Sequence, residues 1–298
     1  IKYIEVSMEK IVKKSRAKIN LSLDIIGKRD DGYHEVDMIM QQIDLYDLLT
    51  FEKTNDNKIV IECNNRYVPD DSRNIVYKAI VAVNNYLNIE NRGIKIIIEK
   101  NIPVAAGLGG GSSNAATAIE AYNELYTLNL KKDEMMEIGK KIGADVPFFF
   151  EGGCCRARGI GEILTPIKGL ENGWIVLCKP NIAVSTKEVY NALNYPMVLS
   201  HPDVDGMVEA LEKKDLLMIS NKLGNVLEQV TLRKYKIVES IKEKITNSNA
   251  TGVLMSGSGP TVFGLFKDYK SGNKMYKKLS NIYSETYLTK GFNGGTYE

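Results

Sequence analysis

Two histidines and four cysteines are a small stock of metal-binding and nucleophilic side chains for a chain of 298 residues. His34 and His201 stand far apart, and Cys63, Cys154, Cys155 and Cys178 form no spaced Cys-x-x-Cys pairs. A zinc site is therefore not expected, and the cysteines read as buried, reduced thiols. No apolar run approaches the ~20 residues that cross a bilayer. The opening Ile1-Lys-Tyr-Ile-Glu-Val-Ser7 lacks the apolar core and small-residue cleavage site of a signal peptide. Met8 is the expected natural start, with residues 1–7 an extension, and the cytoplasm is the expected location. Excess charge of one sign is also missing. Lysine plus arginine is 39 against 37 aspartate plus glutamate, a net charge of +2, so neither nucleic acid nor a membrane surface is an expected partner. Internal repeats and low-complexity linkers are absent as well.

What is present is an ordinary globular composition, 44% hydrophobic and 26% charged, at a length that suits about two domains. Residues 17–26 alternate apolar and polar with period two, which predicts a strand. A turn follows at Arg29-Asp-Asp-Gly-Tyr33, and 36–51 holds more strand. Residues 72–87 carry Ile75, Ala79, Val83 and Leu87 on one helical face. Helices are expected over 114–125, through Ala115, Ala118, Ile119 and Tyr122, and over 133–142, ended by Gly143. Residues 144–150 are expected to leave as a sharp exit, because Pro147 disfavours helix at Val146. From residue 175 a second set of elements begins, with helices over 187–193, 205–212, 215–227 and 232–245. A strand pair over 252–255 and 262–266 flanks Ser256-Gly-Ser-Gly-Pro260. Helices laid on an antiparallel sheet give an α+β fold, with domains expected at 1–165 and 166–298.

The most informative stretch is Pro103-Val-Ala-Ala-Gly-Leu-Gly-Gly-Gly-Ser-Ser-Asn-Ala-Ala116. Gly107, Gly109, Gly110 and Gly111 lie between a β-rich segment at 94–100 and a helix former. A glycine cluster lets backbone amides turn toward a bulky anion. Ser112 or Ser113 is then placed to cap the following helix, whose N-terminus favours negative charge. The loop has no lysine, so it is not a Walker A motif, and Ser112 breaks the Gly-x-Gly-x-x-Gly dinucleotide pattern. Protein-kinase signatures and a Gly-x-Ser-x-Gly elbow are missing too.

What remains, Pro-x-x-x-Gly-Leu-Gly-Gly-Gly-Ser-Ser, resembles the phosphate loop of the GHMP kinases, the superfamily of galactokinase, homoserine kinase, mevalonate kinase and phosphomevalonate kinase. Ala17-Lys-Ile-Asn20, Asp31-Gly-Tyr-His34 and Ile142-Gly-Ala-Asp-Val-Pro-Phe-Phe149 narrow the resemblance to one branch, the kinases of 4-diphosphocytidyl-2-C-methyl-D-erythritol in non-mevalonate isoprenoid synthesis. The motifs run in the same order from about residue 8 to 266. Ser15-Arg16 departs from the proline that often precedes Ala-Lys in that branch.

The resemblance implies an ATP- and Mg²⁺-dependent transfer of phosphate to the 2-hydroxyl of that cytidyl acceptor. Pro103, Gly107, Leu108, Gly109, Gly110, Gly111, Ser112 and Ser113 would hold the triphosphate, with Asn74 and Lys100 lining the adenine pocket. Ser112 or Ser113 would meet phosphate or Mg²⁺, and the metal ligands are otherwise open. Asp145 would be the general base and Lys18 its cationic partner. By spacing alone Asp145 reads as a turn-capping acid and Lys18 as an outward-pointing strand lysine, so the resemblance gives both their roles. Lys18 and Asn20 share one face of their strand. His34 would read the cytosine edge, Tyr33 and Tyr190 would stack on it, and Thr186 would bind the same acceptor. Ser256-Gly-Ser-Gly-Pro260 reads either as a hairpin turn or as a second glycine loop. A homoserine- or mevalonate-type kinase, or a regulator that binds nucleotide without catalysis, are the alternatives. The expected state is a monomer or weak homodimer.

Overall fold

The computed structural model describes residues 9–195, 198 and 200–294; the expected start at Met8 lies outside them. Two compact units interleave along the sequence. The first takes the chain up to Ser15, Tyr46–Ile102 and Gly110–Phe150; the second takes Arg16–Leu45, Pro103–Gly109 and the chain from Glu151 on. Two long strands, β1 (Lys10–Lys28) and β2 (His34–Lys53), contribute residues to both.

In the first unit, β3 (Ile59–Cys63) pairs parallel with β4 (Ile94–Glu99), and β4 pairs antiparallel with β2, Phe51 opposite Ile96. Ile94, Ile96 and Ile98 alternate inward and are buried, as are Leu49 and Phe51 on β2. Three helices accompany this sheet: α1 (Ile75–Leu87), α2 (Gly110–Leu125) and α3 (Lys132–Ile142). Helix α1 starts three residues later than the sequence predicts. Residues 72–74 are the turn and cap, and the Asn74 side-chain Oδ1 accepts the Val76 N–H at 2.8 Å. Alanine-rich α2 buries Ala115, Ala118, Ile119 and Tyr122, and the Tyr122 hydroxyl donates to Asn84 of α1 at 2.9 Å. The expected sharp exit over 144–150 is instead a short helix, α4 (Val146–Glu151). Pro147 sits in its first turn, where a missing N–H leaves no hydrogen bond unmade.

The second unit holds a four-stranded antiparallel sheet in the order β11-β7-β10-β9. These strands are β7 (Trp174–Lys179), β9 (Gly252–Met255), β10 (Val262–Phe266) and β11 (Glu285–Thr289). The strand pair expected at 252–255 and 262–266 is present in full, Val262 opposite Met255. Strand β5 (Cys154–Gly159) pairs with β2 and with β6 (Ile163–Ile167). The helices are α5 (Thr186–Ala192), α6 (Val204–Glu212), α7 (Leu216–Lys222), α8 (Glu228–Lys234), α9 (Lys236–Thr246) and α10 (Tyr269–Ser280). The two longest helices expected after residue 175 are each interrupted. The 215–227 segment stops at Lys222, because Gly224 and Asn225 form β8 and pair in parallel with Ser22 and Leu23 of β1. The 232–245 segment lies across a break at Tyr235, whose φ of −121° is not helical. Both breaks come from tertiary pairing and local geometry that apolar spacing does not encode. The architecture is α+β.

Ile119, fully buried on α2, reports on the first unit's core. Ile119→Ala is expected to cost about 2–5 kcal/mol. A thermal melt checks it, and an unchanged midpoint would show that this face of α2 is not packed.

Candidate functional site

The sequence places a cap at Ser112 or Ser113, but α2 begins inside the glycine run, at Gly110. Both serines therefore lie in the first turn, where backbone N–H groups have no partner within the helix. A side chain at 110 would collide with its surroundings: a Cβ there would stand 2.9 Å from Ile102 Cγ2 and 3.0 Å from Lys100 Nζ. The two serines then differ. Ser113 is buried and accepts a hydrogen bond from Ser15 Oγ at 2.7 Å. Ser112 is half-buried, and its hydroxyl lies 3.9 Å from where a Cβ on Gly143 would be. That points Ser112 toward the turn carrying Asp145, which is itself half-buried between α3 and α4. Ser112 is thus the serine of the pair more open to a ligand.

Asn74 and Lys100 both have structural partners in the same unit. Besides capping α1, the Asn74 amide donates to the Pro69 carbonyl, and neighbouring Ile75 faces Gly111, whose Cβ would be 3.8 Å from Ile75 Cγ2. The Lys100 ammonium is buried against Asp47. Burial pulls its pKa below the ordinary lysine value, and the Asp47 carboxylate opposes that shift.

In the second unit, Lys18 and Asn20 share one face of β1, as the alternation predicts, and that face is buried. Lys18 Nζ donates to Asn20 Oδ1 at 2.6 Å, and Asn20 Nδ2 reaches Met38 Sδ at 3.4 Å. The Lys18 backbone N–H donates to the Leu108 carbonyl at 2.9 Å. The strand position carrying the ammonium therefore also holds the first half of the glycine loop. Gly107 (φ +74°) and Gly109 (φ +68°) occupy the left-handed region. At Gly107 a second constraint acts, since a Cβ would lie 2.3 Å from the Ser256 carbonyl oxygen. Ser256 Oγ donates to the Gly107 carbonyl at 3.0 Å. Ser256-Gly-Ser-Gly-Pro260 thus connects β9 to β10 and packs on the first glycine loop. Pro103 is buried.

The segments expected to hold the acceptor are partly joined. His34 is the first residue of β2, and its ring lies 5.5 Å from that of Tyr190 on α5, tilted by 56°. Burial, with Lys28 nearby, lowers the His34 pKa, so the imidazole is neutral at pH 7. Thr186 is hydrogen-bonded to Ser258 of the second glycine loop, Oγ1 to Oγ 2.9 Å. Tyr33 stands apart from this pair, exposed in a turn closed by the Arg29 N–H on its carbonyl.

Three supporting residues escape the sequence reading. Asn225 Nδ2 donates to the carbonyls of Met255 at 2.9 Å and Gly257 at 2.7 Å, and Thr231 Oγ1 donates to that of Ser258 at 3.0 Å. Asp47 is the third. Asn225, Thr231 and Asp47 have no local signature. Among the described residues no group of three or more His, Cys, Asp or Glu is arranged to hold a metal ion, and no helix is long and apolar enough to cross a membrane.

Comparison with known proteins places the chain in a family. Residues 74–153 match the GHMP kinases N terminal domain, and residues 207–285 match the GHMP kinases C terminal family. A protein of Alkaliphilus metalliredigens named 4-diphosphocytidyl-2-C-methyl-D-erythritol kinase is 50% identical over 96% of this chain and 98% of its own length. A crystal structure of 4-(cytidine 5'-diphospho)-2C-methyl-D-erythritol kinase superposes with a TM-score of 0.80 at 29% identity, covering 96% of this chain and 100% of that one. A homoserine kinase of Cytophaga hutchinsonii, at 19% identity, TM-score 0.77 and 99% coverage of each chain, shares the fold. The chain belongs to the GHMP kinases and, within them, to the family of the 4-diphosphocytidyl-2-C-methyl-D-erythritol kinases.

Proposed function

We propose that this chain transfers the γ-phosphoryl group of ATP to the 2-hydroxyl of 4-diphosphocytidyl-2-C-methyl-D-erythritol, a step of non-mevalonate isoprenoid synthesis. The observation that carries the reading is identity at half of all positions, over nearly the full length, with a relative bearing the name of that kinase. ATP supplies the phosphoryl group, and Mg²⁺ supplies charge that neutralises it. Mg²⁺ keeps several waters and leans on substrate phosphates, so it fits a site whose own offering is the half-buried Ser112 hydroxyl and the Asp145 carboxylate.

The residues then take these roles. The first-turn amides of α2 and the loop from Gly107 bind the β- and γ-phosphates. Asp145 accepts the proton of the attacking hydroxyl, whose oxygen forms the new bond to phosphorus while the bond to the ADP oxygen breaks. Lys18 supplies positive charge for the attacking hydroxyl, and the hydrogen bond to Asn20 fixes its ammonium. No covalent phospho-enzyme is needed. His34 in its neutral form offers cytosine one donor and one acceptor, Tyr190 and Tyr33 provide stacking surface, and Thr186 binds the acceptor beside Ser258. Asn74 and Lys100 border the adenine. The paired rings of His34 and Tyr190 favour a nucleobase-bearing acceptor over homoserine or mevalonate. A binding-only regulator would need neither Lys18 nor Asp145. Soluble reactants fit work in the cytoplasm, and nothing in the reaction demands more than a monomer or weak homodimer.

The purified protein should release ADP from Mg-ATP with the cytidyl-erythritol acceptor and not with homoserine or mevalonate. Asp145→Asn should lower kcat by about 10²–10⁴-fold; near wild-type turnover in that variant would remove Asp145 as the base.

A second expectation concerns pH. The lowered pKa keeps His34 neutral at pH 7, and protonation sets in only as pH falls. The KM for the acceptor should therefore rise as pH drops from about 7 to about 5, and His34→Gln should flatten that rise. A wild-type KM that ignores pH across this window would exclude the neutral imidazole from cytosine recognition.

A further inference from the structure

Beneath the start of α2 lies a carboxylate that the proposed mechanism does not use. Asp47, in the second half of β2, has no solvent exposure. One of its oxygens, Oδ1, accepts the backbone N–H groups of Asn101 and Ile102, both at 2.7 Å. The other, Oδ2, accepts from the Lys100 ammonium and from Asn114 Nδ2, the latter at 2.9 Å. Asn114 belongs to the first turns of α2, and its amide also donates to Ser15 Oγ at 2.9 Å. Ser15 in turn donates to Ser113 Oγ at 2.7 Å. A single buried carboxylate therefore ties together the chain leaving β4, the ammonium beside Gly110, and the first turns of α2.

A neutral or apolar side chain at 47 would be enough to fill the space. A fully buried carboxylate carries a desolvation cost that is offset only when its oxygens are satisfied. Here four donors satisfy it, and they come from two segments, residues 100–102 and the start of α2, that must be held in one arrangement against β2. Lys100 Nζ comes within 3.0 Å of the Cβ position at Gly110, so its placement decides how close a cation lies to the first helical residue of the glycine run. Asn114 Nδ2 holds the helix itself. Loss of the carboxylate would release both at once.

We propose that Asp47 is a positioning residue for ATP, setting the first turn of α2 through Asn114 and the Lys100 ammonium through their ion pair. The proposal rests on reading residues 110–113 as part of the ATP loop. Asp47 touches no substrate; it acts through the groups that do. Its loss therefore weakens the nucleotide side and spares the acceptor side.

Two substitutions test this. Asp47→Asn keeps the shape but turns an amide NH₂ or a neutral oxygen toward Lys100 and Asn114. Asn114→Ala cuts only the link to α2. Steady-state kinetics should show the KM for ATP raised at least tenfold in Asp47→Asn and at least threefold in Asn114→Ala. In both, kcat and the KM for the acceptor should stay within twofold of wild type. Direct titration with Mg-ATP, without acceptor, should show the same weakening. The double variant should resemble Asp47→Asn alone, since both changes cut one chain of contacts. An ATP affinity within twofold of wild type in Asn114→Ala would overturn the proposal, and that variant decides it should Asp47→Asn fail to fold. Equal losses in kcat and in both KM values would also overturn it, as general destabilisation. A wild-type protein that binds no Mg-ATP would instead sink the reading of the loop, and with it the role of Asp47.

Discussion

A helix that starts inside a run of glycines leaves its first amides without partners, and the first unit is built around that deficit. Glycine inside a helix costs roughly 0.5–1 kcal/mol relative to alanine, and Gly110 and Gly111 are both helical. The structure shows why alanine would not serve at 110: Ile102 and Lys100 occupy the space a Cβ would need. Their approach brings a cation close to the helix terminus, where the macrodipole already favours an anion. The alanines at 115, 116, 118 and 121 are all buried, so α2 is packed closely along its length and its start cannot drift. Sequence, backbone and charge thus agree on one outcome, a fixed cluster of amides with positive potential.

The second unit solves a different problem, that of keeping an ammonium buried and available. Lys18 is only 5% exposed, and a charge so withdrawn from water needs hydrogen-bond partners. Asn20 supplies a carbonyl oxygen at 2.6 Å. The orientation of that amide is itself controlled, because a thioether can accept but not donate. With Met38 Sδ facing the NH₂ group, the carbonyl must face Lys18. The same strand residue binds the Leu108 carbonyl through its backbone, so the lysine and the glycine loop share one anchor. Ser256, set by Asn225 through the Met255 and Gly257 carbonyls, closes the arrangement on Gly107.

Local features of the sequence were a good guide to local structure. The glycine run, the alternation through Lys18 and Asn20, and the β9–β10 pair all follow from spacing and residue type. The start of α2 at Gly110 was less legible, since glycine argues against helix until Lys100 and Ile102 are seen beside it. Pro147 misled for a related reason. Its effect depends on whether it falls inside a helix or in the first turn, which spacing does not tell. Asn225, Thr231 and Asp47 were invisible as site residues because their importance lies in contacts with segments 27 to 67 positions away. The interleaving of the two units was also beyond a linear reading, because β1 and β2 each serve both.

The two sides of the proposed reaction differ in what recognises them, and this bears on how far likeness of fold can carry function. The donor side depends largely on backbone: amides at a helix start, glycines in left-handed conformations, and a carbonyl contact that forbids a Cβ at 107. Backbone geometry survives wide divergence of sequence, which accounts for a shared fold with a homoserine kinase at 19% identity. The acceptor side depends on side chains, chiefly the ring pair of His34 and Tyr190 and the hydroxyl pair of Thr186 and Ser258. Side chains can be exchanged without disturbing the fold. A TM-score therefore speaks to the fold alone, while the acceptor has to be argued from His34, Tyr190 and Thr186 themselves.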